Sequence, residues 1–203
     1  MQIRLISARP WDVEADVLAV PITSDEPSDE SLAELDRRLG GALGSYRQVG
    51  ELAGKPWTSA LVWGAEMGAD WLLGMGVGKA EAFDRVIALR LGAAIERRLI
   101  GRDVHRLGVY LPSELLSGEG MDAAAVVEMV ARGVVEGMAD PNAIYREGVE
   151  ADLPPQLDEL VLCVPDGDVV KLTAAAERGM IMGEGGNLAR RLSQRASNDV
   201  SPE

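Results

Sequence analysis

The sequence predicts an α/β fold in which helices cover both faces of a largely parallel sheet. Short apolar segments alternate with longer segments of helical periodicity, an order typical of parallel sheets covered by helices. Residues 16–22 form a near-continuous apolar run, which is typical of a strand buried on both faces. With 203 residues, 47% of them hydrophobic, the chain is long enough for one sizeable core.

Six short apolar segments are predicted to be strands, because charged or turn-forming residues bound each of them. In chain order these strands cover residues 3–6, 16–22, 59–63, 70–77, 106–111 and 159–164.

Helical periodicity predicts four longer helices between and after these strands. Ser31 is expected to cap the first helix, Asp122 to open the third and Asp168 to cap the last. The predicted helices cover residues 31–39, 82–100, 122–138 and 168–192. Three other segments are predicted to be a further short helix (44–54) and two loops (23–29 and 139–155).

Charge and composition exclude several classes of function. The net charge of −13 argues against a nucleic-acid partner, because phosphate contacts need clustered Lys and Arg. One cysteine and one histidine cannot form an internal disulfide or a Cys/His zinc site. No secretory signal and no apolar run of about 20 residues is present, so no membrane partner is expected. A reducing, cytoplasmic setting follows as the default.

A glycine-rich segment, residues 74–79, follows a strand and precedes a helix, which is the context of a phosphate-binding turn. The details do not fit. A P-loop would need Gly in place of Leu73 and Ser or Thr in place of Ala80, and a dinucleotide fingerprint would need Gly in place of Lys79. We therefore expect a tight strand-to-helix turn that binds no phosphate.

The single histidine and the single cysteine are each more easily explained without catalysis. His105 could be a general base, but the sequence identifies no nucleophile or orienting acid beside it, so we expect a plain surface residue. Cys163 lies within an apolar strand. A buried, inert thiol is expected there, since a reactive thiolate requires accessible, positive surroundings.

Three acidic residues near the last helix could suggest a carboxylate metal site: Asp166, Asp168 and Glu184. Helix capping explains Asp168, and Asp166 is ordinary turn chemistry. Three glycines inside the same helix are unusual, because each costs up to about 1 kcal/mol against Ala. Gly183, Gly185 and Gly186 therefore predict either a break in the helix or close packing against another element, and the sequence leaves both open.

Residues 187–203 are predicted to be the end of a helix followed by a connector. Leu188 and Leu192 share a helix face, arginines lie near the helix C-terminus, and turn-forming residues then come together. This stretch resembles the junction between the N-terminal and catalytic domains of the leucyl aminopeptidase (cytosol aminopeptidase) family, where Asn-x-Ala-Arg-x-Leu precedes Asn-x-x-Thr-Pro. The matching residues are Asn187, Ala189, Arg190, Leu192, Asn198, Ser201 and Pro202.

The chain departs from that family pattern at four positions. Arg191 stands where an acidic residue is usual, and Gln194 replaces a usual Asn. Ala196 and Ser197 fall where prolines are common. The order of elements upstream also fits the family, so the resemblance covers the whole chain.

The resemblance implies a three-layer, macro-domain-like fold with a mixed sheet of about six strands. Residues 1–165 would be a macro-like N-terminal domain, and residues 166–203 the final helix and connector toward a catalytic domain. The parent would be a homo-hexamer that removes N-terminal residues from peptides with two divalent ions, zinc or manganese. The N-terminal domain would contribute to assembly and scaffolding.

The family's metal-binding motif, Asn-Thr-Asp-Ala-Glu-Gly-Arg-Leu, does not occur in these 203 residues. Two-metal hydrolysis requires such carboxylates. We therefore expect no catalytic, cofactor-binding or metal-binding residue in this chain, and its partners would be the catalytic domain and neighbouring subunits.

Two other functions stay open at this point. The chain could be a free-standing macro-like module that binds ADP-ribose or a related nucleotide where the strands end, near residues 74–78. It could also be a stand-alone assembly or regulatory subunit with no small ligand.

Overall fold

A computed structural model describes residues 1–25, 30–117, 121–139 and 157–194. The strands in these ranges are β1 (Gln2–Ser7), β2 (Ala15–Thr23), β3 (Ser59–Trp63), β4 (Ala69–Gly78), β5 (Arg106–Tyr110) and β6 (Glu159–Val164). The α-helices are α1 (Glu30–Arg38), α2 (Ala42–Gln48), α3 (Arg85–Leu99), α4 (Ala123–Gly137) and α5 (Val169–Gln194).

The strands form one six-stranded sheet in the order β1-β6-β5-β2-β4-β3. All neighbouring pairs are parallel except β3 and β4, which are antiparallel. The prediction of a mixed, mostly parallel sheet of about six strands is therefore confirmed. The central strand β2 is buried almost throughout, as its continuous apolar sequence predicts.

Helices pack on both faces of the sheet, because the side chains of each strand alternate between two apolar clusters. Val17 and Ala19 of β2 belong to the cluster that α3, α4 and α5 complete. Leu18 and Val20 point the other way, into the cluster that α1 and α2 complete. The three-layer arrangement thus follows from a period of two along one strand.

Two of the three helix caps foreseen from the sequence are confirmed. The Asp122 carboxylate accepts from the backbone N–H of Ala125 at 2.9 Å, and that of Asp168 accepts from Val170 and Lys171, each at 3.1 Å. The third is wrong. Ser31 lies inside α1, which already includes Glu30.

The start of α3 also differs from the prediction. The helix begins at Arg85 rather than at residue 82, because Asp84 is its cap and accepts from the backbone N–H of Ile87 at 2.8 Å. A separate 3-10 turn covers Ala80–Ala82. The short helix suggested within residues 44–54 corresponds to α2, which begins slightly earlier.

Several expectations lie outside the described residues. The proposed loop at 139–155 falls there except for Ala139, as do the connector residues Asn198, Ser201 and Pro202. Among the described residues, no helix is both long enough and apolar enough to cross a membrane.

Candidate functional site

The last helix, α5, has two apolar faces. One is buried against the rest of the domain and contains Leu172, Ala175, Ala176, Gly179 and Gly183. The opposite face exposes a second apolar stripe of Val170, Ile181, Leu188 and Leu192. Their spacing keeps all four side chains on one side of a helix with 3.6 residues per turn. By the same spacing, Glu177 and Glu184 fall on this side of the helix and interrupt the stripe. Large apolar side chains exposed together on one helix face mark a candidate packing surface.

The glycines of α5 permit close packing and do not break the helix. A Cβ atom at Gly183 would lie 2.7 Å from the Cβ of Val135 and 3.0 Å from the carbonyl oxygen of Arg132 on α4. Gly185 faces open space, and Gly186 would make only an ordinary contact with Glu136. Of the two possibilities left by the sequence, close packing is correct at Gly183, and the helix is continuous through all three positions.

The C-terminal part of α5 is fixed to α4 by polar side chains. Asn187 donates to the carbonyl oxygen of Val135 at 2.6 Å. Arg190 donates to the Glu136 carboxylate at 2.6 Å and to Asn187 at 2.8 Å. Burial works against ionisation of Glu136, but hydrogen bonds from Arg190 and Arg132 hold its pKa below the ordinary value. Two residues of the family-like motif, Asn187 and Arg190, thus orient this helix.

Beside this end of α5 lies a groove of ≈ 700 Å³ between the C-terminal ends of α3, α4 and α5. Its walls are mixed: Ile100, Val135 and Met138 are apolar, Arg97 and Arg191 bring positive charge, and Glu184 brings negative charge. The groove and the exposed stripe share the last turns of α5.

The glycine-rich segment of residues 74–78 is the end of strand β4 and not a turn, so that prediction is wrong. The backbone N–H of Gly76 donates to the carbonyl oxygen of Thr58, and that of Gly78 to the carbonyl oxygen of Gly54, both at 2.8 Å. A Cβ at Gly76 would overlap the carbonyl oxygen of Lys55. Lys55 and Thr58 therefore occupy the space beside Gly76, and the backbone N–H groups of Gly76 and Gly78, which a bound phosphate would need as donors, are already hydrogen-bonded within the chain.

His105 is a surface residue, as expected, with 55% of its side chain exposed. The expectation that no acid orients it is wrong. Its two ring nitrogens lie 3.1 Å from carboxylates of Asp158 and Asp103. These two hydrogen bonds, that to Asp158 first, raise the pKa of His105. Asp103 is visible two positions away in sequence, whereas Asp158 is brought there only by the pairing of β5 with β6.

Cys163 is buried in β6, as predicted from its apolar strand. Burial raises the pKa of the thiol to about 12, and the Sγ atom donates to the carbonyl oxygen of Ala8 at 3.3 Å. A thiol in this state is not a nucleophile at neutral pH.

The three acidic residues considered as a metal site do not converge. Asp166 accepts from the backbone N–H of Gly167 at 2.7 Å, and Asp168 caps α5. Glu184 lines the groove at the other end of the helix, roughly 24 Å from Asp168 at 1.5 Å per residue. In the described ranges, no group of three or more His, Cys, Asp or Glu side chains could hold a metal ion.

Comparison with known families decides the family of the chain. The model of the cytosol aminopeptidase family, N-terminal domain, matches residues 19–138, which include the second half of β2, the strands β3 to β5 and the helices α1 to α4. The chain belongs to the cytosol aminopeptidase family. The resemblance seen in residues 187–203 is thereby confirmed from a different part of the sequence.

Curated relatives extend the match to the ends of the chain. A probable cytosol aminopeptidase of Solibacter usitatus is 30% identical over 203 residues, which are 100% of this chain and 38% of that protein. Another, of Syntrophotalea carbinolica, is 30% identical over 194 residues, 94% of this chain and 38% of that protein. The chain therefore spans about two fifths of the length of these relatives.

Two solved structures have the same fold over nearly all of this chain. A mutant of tomato leucine aminopeptidase matches with a TM-score of 0.77 at 20% identity, over 100% of this chain and 40% of that one. The bottromycin maturation enzyme BotP in complex with Mn matches with a TM-score of 0.66 at 22% identity, over 93% of this chain and 34% of that one.

Proposed function

We propose that this chain is the non-catalytic N-terminal domain of a leucyl aminopeptidase-type metallopeptidase, and that it acts in assembly and scaffolding. The observation that carries the proposal is the second apolar stripe of α5. The opposite face of α5 already packs against the domain, so Ile181, Leu188 and Leu192 add no burial to this chain. Exposed apolar side chains grouped in this way are typical of a surface that another domain or subunit covers. The catalytic domain of the parent is the body that the family places after this helix.

The chemistry of the parent is assigned to that catalytic domain. Two divalent ions, zinc or manganese, would there polarise the peptide bond and activate water. The described residues of this chain do not fit such ions, because they bring no three ligands together. Their contribution is to fix the direction of α5, through Asn187 and Arg190, and so the position of the catalytic domain relative to the sheet.

The parent is further proposed to be a cytoplasmic homo-hexamer in which this domain lies outside the catalytic core. The groove beside α5 supports a role in assembly, because its lining sets Arg97 and Arg191 beside Ile100 and Met138. Glu184 is the acidic residue of this groove wall that has no arginine partner among the described residues. A partner segment of opposite pattern, apolar with acidic residues, would match it.

Two measurements test this proposal. The purified chain, supplied with Zn²⁺ or Mn²⁺, is expected to release no amino acid from leucyl-p-nitroanilide or a leucyl peptide. Robust metal-dependent release would overturn the proposal. The second is to follow the coding sequence beyond residue 203 and to search the same genome for a separate catalytic chain. If neither supplies the metal-binding motif, the proposal fails.

A third measurement tests the alternative function, which is nucleotide binding. Calorimetry with ADP-ribose is expected to give no heat, since Gly76 and Gly78 already donate their N–H groups to the chain itself. Saturable heat would instead favour a ligand-binding module. The macro-like character of the fold, which the resemblance implies, stays a prediction on which that module would depend.

A further inference from the structure

Strand β3 is a free edge of the sheet. Among the described residues it pairs with β4 alone, in the register Ser59↔Met75 to Trp63↔Trp71, and Gly64 donates to the carbonyl oxygen of Asp70. Hydrogen-bonded pairs recur at every second residue of an antiparallel ladder. The N–H and C=O groups of Ala60 and Val62 therefore point toward β4. Those of Ser59, Leu61 and Trp63 point outward, where the described residues offer no backbone partner.

Aromatic side chains gather along this edge. The chain has four tryptophans, and Trp57, Trp63 and Trp71 are all exposed beside β3. Trp63 and Trp71 form an edge-to-face pair with ring centroids 5.2 Å apart. Trp57 holds a backbone φ of 69°, a rare and strained conformation for so large a residue. Tryptophan is the residue most typical of interface hot spots, so this edge has the composition of a contact surface.

We propose that β3 pairs with β3 of a second copy of this chain, antiparallel, about a two-fold axis at Leu61. The three outward-facing residues are symmetric about that position. Ser59 would face the second copy's Trp63, and Leu61 would face its own counterpart. Each such pair exchanges two backbone hydrogen bonds, and the two sheets become one. This inference rests on the sheet edge and not on the proposed function.

The side chains fit this register. Opposed residues in an antiparallel pair have Cβ atoms roughly 5 Å apart on the same face of the sheet. The small Ser59 therefore leaves room for the indole of Trp63 from the second copy. Arg98 of α3 already lies at this place, with its Nε 3.3 Å from the Ser59 hydroxyl oxygen. Its guanidinium would meet the incoming indole, an arrangement that cation–π attraction favours.

The charges at the two ends of β3 are also complementary. Lys55 and Arg98 lie near the end that begins at Ser59, whereas Glu66 and Asp70 lie near the end at Trp63, where Arg37 of α1 offsets part of the negative charge of Glu66. An antiparallel two-fold arrangement brings each end against the opposite end of the second copy. A chain with a net charge of −13 repels its copies at long range, so this local match selects one orientation.

Sedimentation velocity of the full 203-residue chain tests the proposal. We expect a dimer that forms as concentration rises to about 100 µM, a range that populates complexes of micromolar Kd. Trp63→Lys is expected to weaken the dimer at least about tenfold, because it removes an anchor and introduces a charge at the edge. The matched control is Ile181→Lys on α5, since Ile181 and Trp63 are exposed to nearly the same extent, 63% and 60%. This control is expected to leave the dimer intact.

A charge reversal provides a second test that does not disturb the core. Lys55→Glu and Glu66→Lys should each weaken the dimer, and the double variant should restore it. A monomer at all concentrations would overturn the proposal. So would a dimer that Ile181→Lys dissociates and Trp63→Lys does not, because that dimer would be held by α5.

Discussion

The two edges of the sheet are stabilised in different ways. At β1, the edge carries Arg4, whose Nε lies 3.3 Å from the Glu159 carboxylate of β6, and α5 packs against the strand. At β3, the five residues Ser59–Trp63 include no charged residue. Charge and cover are the usual protection of an edge strand against pairing. The molecule protects one edge and leaves the other available.

The two halves of the sheet also differ in what aligns their strands. Near β1, the Glu159 carboxylate bridges Arg4 and Arg106, and His105 bridges Asp103 and Asp158. Near β3, the alignment depends on close backbone contact at Gly76. Steric fit fails abruptly when an atom is added, whereas exposed ion pairs weaken gradually with pH and salt. The following substitutions test this contrast, from the largest expected effect to the smallest.

Gly76→Ala is expected to have the largest effect, because the new methyl group would overlap the carbonyl oxygen of Lys55 and approach the Thr58 hydroxyl oxygen. Overpacking of this kind costs about 1–3 kcal/mol, and we expect the upper part of that range in urea unfolding. Gly185→Ala is the control, since that helical position faces open space. It should stabilise the chain by up to about 1 kcal/mol. A loss of stability at both positions would show that steric fit is not the cause.

Glu96 of α3, which lies against Gly137 of α4, should make the helix layer sensitive to pH. Burial raises the pKa of Glu96 from 4.5 to about 7. The folded state therefore binds the proton more tightly than the unfolded state between these values, and stability falls as pH rises through that window. Glu96→Gln should remove this fall and add roughly 1–3 kcal/mol to the free energy of unfolding at pH 8.

The measurement for Glu96 is urea unfolding from pH 4.5 to pH 8. The exposed Glu177 of α5 supplies a control, since Glu177→Gln should leave the pH dependence unchanged. An unaltered pH dependence in Glu96→Gln would assign the fall in stability to another group.

Glu159→Gln tests the charged edge. The substitution removes both ion pairs of a carboxylate that is only 19% exposed, and pairs with exposed arginines are worth about 0.2–1 kcal/mol each. We expect a loss near 1 kcal/mol that shrinks as salt is raised. Glu81→Gln, which breaks the exposed pair between Lys79 and Glu81, should have no measurable effect. A loss for Glu159→Gln that is independent of salt would point to packing instead.

Asp158→Asn should have the smallest effect. Its hydrogen bond is the first cause that raises the pKa of His105 above 6.5. The contribution to stability is complete below pH 6.5 and is lost as pH rises through the folded-state pKa. Because His105 is the single histidine, its titration is directly visible by NMR. Asp158→Asn should move that pKa downward, and an unchanged titration would contradict the geometry.

The sequence predicts the architecture well, because period and burial are local signals. The apolar run in β2 and the cap at Asp122 were sufficient to place their elements. The cap predicted at Ser31 is wrong because α1 already includes Glu30, so a residue of capping type lies inside the first turn of the helix. The cap at Asp84 is not predicted, since apolar residues on both sides of Asp84 continue the periodicity of α3.

The site was less accessible from sequence, because it depends on distant residues. From sequence alone, the glycines in residues 74–78 indicate a turn. The structure shows that they belong to a strand, and that Gly76 is needed because Lys55 and Thr58 pack directly against its backbone. The partner of His105 at Asp158 is equally remote in sequence. The exposed stripe of α5 could have been foreseen, since Ile181, Leu188 and Leu192 recur at helical spacing on the side opposite Leu172.

The contact of Gly183 with α4 also has a mechanical meaning. With the Val135 side chain seated against its backbone, α5 can neither slide nor roll on its neighbour without a collision. The C-terminal half of α5 is therefore held as a rigid rod on α4. A force applied at Leu192 would tilt the whole of α5, and the tilt would be transmitted to β1, which α5 contacts.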